Sequence, residues 1–168
     1  MPFIVSPDVI PIPVLLAVFG LSALVIVAGL ASGRVVNKRK FVLEVLLVEY
    51  IFLVVSVTVV FRPTMPEHHL HLMPFWVYTD LAARHPNLAT RDIVINLLLF
   101  LPVGALLAGI NPSLKWYKVL LIGLACSLTI EVLQYLFLRG VAQTDDLLHN
   151  SVSCLLGWGV AKGVVGRG

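Results

Sequence analysis

Between Ile130 and Asn150 the chain reads IEVLQYLFLRGVAQTDDLLHN, placing Glu131, Gln134, Arg139, Asp145, Asp146, His149 and Asn150 close together. Carboxylates serve as general bases, nucleophiles or cation ligands, side-chain amides hydrogen-bond polar groups, and arginine forks onto carboxylate or phosphate oxygens. A second polar group lies upstream, where ATRDIVINLLLF carries Arg91, Asp92 and Asn96. Arg91, Asn96, Glu131, Gln134, Arg139, Asp145, Asp146 and Asn150 are therefore the candidate ligand-binding residues. Neither a Ser-His-Asp nor a Cys-His arrangement is evident, and Cys126 and Cys154 lie deep in apolar runs, so no catalytic constellation is assigned. Asp145, Asp146, Asn150 and Glu131 carry oxygen ligands of the kind Mg²⁺ and Ca²⁺ prefer. Their spacing matches no recognised pattern, however, and neither a metal nor a cofactor is assigned. His68, His69 and His71 crowd a proline-flanked loop with no zinc spacing, which makes an interfacial loop the simpler reading.

The surrounding chain explains why such polarity is unusual. Of 168 residues, 59% are hydrophobic and only 12% charged, with a mean hydropathy of +0.98; a water-soluble domain would not tolerate that surface. About 20 apolar residues suffice to cross the hydrocarbon core as a helix. Five runs qualify, at Ile12–Ala31, Phe41–Phe61, Ile93–Ile110, Tyr117–Leu138 and Leu147–Val165. They leave no room for a separate soluble domain, so the expected fold is all-α, a polytopic transmembrane helix bundle forming one integral membrane domain over residues 1–168. The N-terminal MPFIVSPDVIPIP has no basic residue and its apolar run exceeds a signal peptide's core, so the first run is expected to be a true span.

Orientation follows from the basic residues. Eight of the twelve, Arg34, Lys38, Arg39, Lys40, Lys115, Lys118, Lys162 and Arg167, fall on one side of the five spans, in segments without an acid. Lysine and arginine in short loops mark the cytoplasmic side, which puts the N-terminus outside and the C-terminus inside. Topology thus accounts for the net charge of +3, and no nucleic-acid partner is inferred. At about 1.5 Å of rise per residue, Glu131 lies roughly 10 Å below the outer end of its helix, with Gln134 a turn above on the same face. Asn96 and Asn150 sit at similar depth, with Asp145 and Asp146 expected at the rim, and Arg139 or Arg91 is the expected partner of Glu131.

Membrane-embedded ionisable groups normally face a bundle interior or a water-filled cavity, with partners. Two readings stay open: an ion-pair and amide network that only glues helices together, and an outward-facing cleft for a polar headgroup. The loop Arg62–Thr90 holds Phe75, Trp76 and Tyr78, residues suited to headgroup depth; a short interfacial segment over the cleft or plain anchoring would each explain it. Gly29/Gly33, Gly123/Ser127 and Ser153/Gly157/Ala161 allow close helix approach.

RDIVINLLLFLPVGALL, then SLTIEVLQ, Arg139 and DDLLHN, resembles the VanZ-like family of small bacterial membrane proteins over about residues 71–160. The ordered series Asn96, Phe100, Pro102, Gly104, Glu131, Gln134, Arg139, Asp145, Asp146 and Asn150 carries the resemblance. HLMPFWVY is similar to that family's N-x-x-P-F element, with His71 or Leu70 where asparagine is expected. The resemblance implies the bacterial plasma membrane, a cell-envelope context and, from the family's founding member, a link to resistance against the glycopeptide teicoplanin. The function expected first is binding of a polar lipid headgroup, a lipid-linked cell-wall intermediate or a glycopeptide-type ligand. A membrane-embedded enzyme acting on a lipid phosphate or acyl group is second, and a structural protein or small transporter third.

Overall fold

The computed structural model describes residues 12–165; the N-terminal stretch through Pro11 and the basic Arg167 lie outside them. Helix α1 covers Ile12–Ala31, and α2 covers Lys38–Val55 and continues as π-helical turns through Ser56–Val60. Strand β1 (His69–His71), a π-helical turn at Val77–Leu81 and the single turn α3 (Ala82–Arg84) lead into α4 (Pro86–Ile110). Helix α5 (Trp116–Leu136), strand β2 (Val141–Gln143) and α6 (Thr144–Val165) complete the fold.

Local chemistry sets these ends. The Asn37 side chain caps α2 by accepting the Lys40 N–H at 2.9 Å, satisfying one of the free amides of the first turn. Pro86 opens α4, where its missing N–H costs nothing. Helix α5 ends in a left-handed residue, Leu138 (φ 56°), with the Arg139 N–H returning to the Gln134 carbonyl at 2.8 Å and the Leu138 N–H to Tyr135 at 3.3 Å. That is the Schellman closure, usually built on glycine.

Four helices, Ile12–Ala31, Lys38–Val60, Pro86–Ile110 and Trp116–Leu136, are long and apolar enough to cross a membrane. The helix α6 has 22 residues, about 33 Å of rise. Its first three turns carry Asp145, Asp146, His149, Asn150, Ser151 and Ser153, all buried, so this helix is polar where it is enclosed by protein.

Packing pairs fix the arrangement. Asn96 meets Asp146 and Leu97 meets Ser153, so α4 and α6 run parallel. Ser127 meets Asn150, and Gly123 abuts Cys154, so α5 runs antiparallel to α6. Tyr50 meets Leu99 and Leu43 meets Gly109, so α2 runs antiparallel to α4. At the α4–α6 crossing a methyl group on Gly104 would overlap the Cys154 carbonyl, and one on Gly157 would overlap the Leu101 carbonyl. Both positions must therefore stay glycine for the backbones to touch. The Gly29/Gly33 expectation is corrected here: Gly29 lies against the Phe41 ring, but Gly33 (φ 67°) has nothing within 4 Å and forms the turn after α1. The buried core comprises Val54, Val59, Phe100, Val103, Val119, Ile130 and Cys154. Beyond it, the end of α2 and the starts of α4 and α6 meet the end of α5 at one pole of the bundle.

Candidate functional site

At that pole the amides and carboxylates link all three of the later helices. Asn96 Nδ2 donates to Asp146 Oδ1 at 2.5 Å, Asn150 Nδ2 donates to Ser127 Oγ at 2.9 Å, and Ser127 Oγ donates to the Asp146 carbonyl at 3.4 Å. Glu131 Oε2 accepts the Gln143 N–H at 2.8 Å, which ties α5 to β2. Gln134 Nε2 donates to the Thr58 carbonyl at 3.0 Å, which brings in the end of α2. Glu131 is 5% exposed and Asp145 2%, and Asn96, Gln134, Asp146 and Asn150 are likewise buried. Six of the eight sequence-derived residues are thus gathered into one enclosed cluster.

The two arginines of that set behave differently. Arg91 is exposed on the first turns of α4, where its charge is felt at Asp92. Arg139 donates from Nη1 to the Arg62 carbonyl at 2.5 Å and so positions a neighbour. That neighbour, Arg62, acts electrostatically on Asp92, Glu131 and Asp146 together. The charge felt at Glu131 is that of Arg62, two residues beyond the π-helical end of α2, while the Arg139 guanidinium is engaged with the Arg62 carbonyl. Gly140 (φ 138°) is what lets Arg62 pass, since a Cβ there would collide with its guanidinium. Arg62 and Asp92 were the residues that motif reading left out of the site. The available signal was an arginine closing an apolar run on the side of the chain where bases are scarce.

The segment between α2 and α4 folds over this cluster. Strand β1 pairs in parallel with β2, His69 opposite Val141 and His71 opposite Gln143. Asp145 holds the next stretch by accepting two backbone N–H groups, Phe75 at 2.5 Å and Val77 at 2.8 Å. Tyr78 Oη pairs with His149 Nε2 at 2.7 Å, and His71 stacks on Trp76 with centroids 4.4 Å apart. His68 Nδ1 lies 2.7 Å from the Tyr135 carbonyl. Phe75 adopts φ 65°, a conformation costly for a non-glycine residue and held by the Asp145 contact. The side chains of Leu72, Met73, Phe75 and Tyr78 remain exposed, giving the segment an apolar outer surface suited to the membrane interface. Asp145 and Asp146 are consequently not rim residues: Asp145 is buried under this lid and holds it, and Asp146 is enclosed between Asn96 and Ser127.

Within the enclosure several polar atoms have no hydrogen-bond partner among the described residues. They are Asp92 Oδ2, Gln134 Oε1, Gln143 Oε1, Asn150 Oδ1 and His149 Nδ1. Three are amide oxygens, which can only accept, and Asp92 Oδ2 accepts while its carboxylate is ionised. Buried polar atoms are nearly always paired, and leaving one unpaired costs about 1–3 kcal/mol, so a cluster of unmet acceptors is what a donor-rich ligand would complete. Among the described residues no group of three or more His, Cys, Asp or Glu is arranged to hold a metal ion.

Comparison with known proteins agrees with the motif order. A protein-family model described as VanZ/LLP1 matches residues 41–165, reaching back through α2, which the motif resemblance left uncovered. No curated protein and no solved structure matches the chain. The chain belongs to the VanZ/LLP1 family.

Proposed function

We propose that this protein binds, in the outer leaflet of the bacterial plasma membrane, an amphiphile whose headgroup is rich in hydroxyl or amino donors. A glycolipid, a lipid-linked cell-wall intermediate and a glycopeptide-type ligand share that chemistry. The observation that carries the reading is the set of unpartnered acceptors at Asp92, Gln134, Gln143 and Asn150. A sugar offers several O–H or N–H donors at once, whereas a phosphate offers acceptors and would face three carboxylates against Arg62. The headgroup enters when the segment held by Asp145 and Tyr78 lifts, and its apolar anchor stays in lipid beside the exposed Leu72, Met73 and Phe75.

Native mass spectrometry of the protein in nanodiscs tests this, with monoglucosyl-diacylglycerol and phosphatidic acid present at equal mole fraction. Saturable occupancy by the glycolipid is expected, with a preference of at least about tenfold, equivalent to ~1.4 kcal/mol. Equal occupancy or a preference for phosphatidic acid would sink the donor-rich reading. An enzymatic reading has one observation in its favour, the electrostatic influence of Glu131 on Asp146, because neighbouring carboxylates in unlike environments can divide acid and base roles. It requires a new headgroup species in lipid extracts from expressing cells, absent when Glu131→Gln is expressed instead.

A further inference from the structure

A second polar group stands alone inside the apolar part of the bundle. Glu49 lies about halfway along the α2 span, roughly 17 Å from Lys38 at 1.5 Å per residue. It borders a cleft of about 370 Å³ between α1, α2 and α4, walled by Phe19, Leu46, Leu53, Pro102 and Leu106. Glu49 Oε1 is buried and has no hydrogen-bond partner among the described residues. The neighbouring Tyr50 hydroxyl, which also borders the cleft, is committed to the Leu99 carbonyl at 3.1 Å. Glu49 is therefore the one ionisable side chain facing the cleft whose polar atom is left without use. Such a group is costly at mid-membrane unless it faces a partner.

We infer that this cleft binds a lipophilic amine, an apolar body carrying one basic nitrogen that pairs with Glu49. Three features select that chemistry. The wall is apolar apart from Glu49 and Tyr50, so the body of the ligand must be apolar too. A carboxylate attracts an ammonium and repels an anionic head, while an alcohol would meet the hydrogen bond but not the charge. The cleft, about 370 Å³, falls within the roughly 300–1,000 Å³ of small-molecule sites. Access is lateral: α1 has no buried residue, and Phe19 is 46% exposed, so the wall it forms is thinly packed and faces lipid. The cleft is separated from the polar pole by the core around Val54 and Phe100, and it does not depend on what binds there.

Tritiated N,N-dimethyldecylamine, titrated onto the full chain in phosphatidylcholine nanodiscs, is the probe, with 1-decanol and decanoate as competitors. Saturable binding of one amine per chain is expected, displaced at least tenfold more weakly by decanol and not by decanoate. This comparison uses the wild-type chain, so it holds whatever the yield of any variant. Glu49→Gln should lower amine affinity at least tenfold and bring amine and alcohol level. Ala105 also borders the cleft, and Ala105→Phe, which fills it and keeps Glu49, should abolish binding of both. Amine uptake that does not saturate, decanol competing as well as the amine itself, or full amine affinity in either folded variant would overturn the assignment.

Discussion

Arg62 and Arg91 look alike in the sequence, each an arginine at the mouth of an apolar run, and the structure separates them. The Arg62 charge acts on Asp92, Glu131 and Asp146 together, whereas Arg91, exposed, acts on Asp92. Removing one partner of a buried charge group typically costs about 3–5 kcal/mol, and an exposed charge pair contributes about 0–1 kcal/mol. Arg62→Met should therefore lower the detergent melting temperature sharply and by more than Arg91→Met does; equal effects would refute this ordering. Asp145→Asn should act more locally. Hydrogen bonds to a charged acceptor are worth about 1.5–3 kcal/mol, and an amide can replace only one of the two acceptor oxygens facing Phe75 and Val77. Faster hydrogen–deuterium exchange confined to residues 75–81 is expected. Residue types were legible here: Asn96, Glu131, Gln134, Asp145, Asp146 and Asn150 all come together. What could not be read was which carboxylate holds a ligand and which holds the chain, because Asp145 is spent on a segment 70 residues away in sequence.

Among the elements, the contact of α4 with α6 is decisive, and its two glycines were unequally visible. Gly157 belongs to the Ser153/Gly157/Ala161 series of small residues, while Gly104 has Ala108 four residues on, a pair of the same spacing that the small-residue reading leaves out. Either one changed to Ala must push the backbones apart, with an expected loss of about 1–3 kcal/mol each, the usual range for overpacking. The double variant should lose less than the sum, since both relieve the same crossing; strict additivity in thermal unfolding would argue against a shared contact. Five helices were legible from the apolar runs, but among the described residues only four are long and apolar enough to cross a membrane; the fifth, α6, is polar through its first turns, where its side chains are buried. The pairing of β1 with β2 was not legible at all: three-residue strands carry too short a pattern to register against a background of helices.

Over the whole molecule, charge placement predicts that the polar pole faces outward and the basic loops face the cytoplasm. A reporter fused after Gly168 should read cytoplasmic, and a cysteine at Thr79, which is exposed on the lid, should be labelled from outside intact cells. The reverse pattern would move the site to the inner leaflet. The central claim, that the enclosed acceptors await a ligand and are not helix glue, is tested most directly at Gln143. Its Oε1 has no partner, while its backbone N–H binds Glu131, a contact that survives replacement of the side chain. Gln143→Leu thus removes one unmet acceptor and keeps the volume, and dropping a buried unpaired group is neutral or stabilising. Melting temperature and monoglucosyl-diacylglycerol affinity should be measured on the same nanodisc sample of this variant. The expected result is an unchanged or higher melting temperature with affinity reduced at least about tenfold, ~1.4 kcal/mol; unchanged affinity, or a melting temperature that falls in step with it, would contradict the claim.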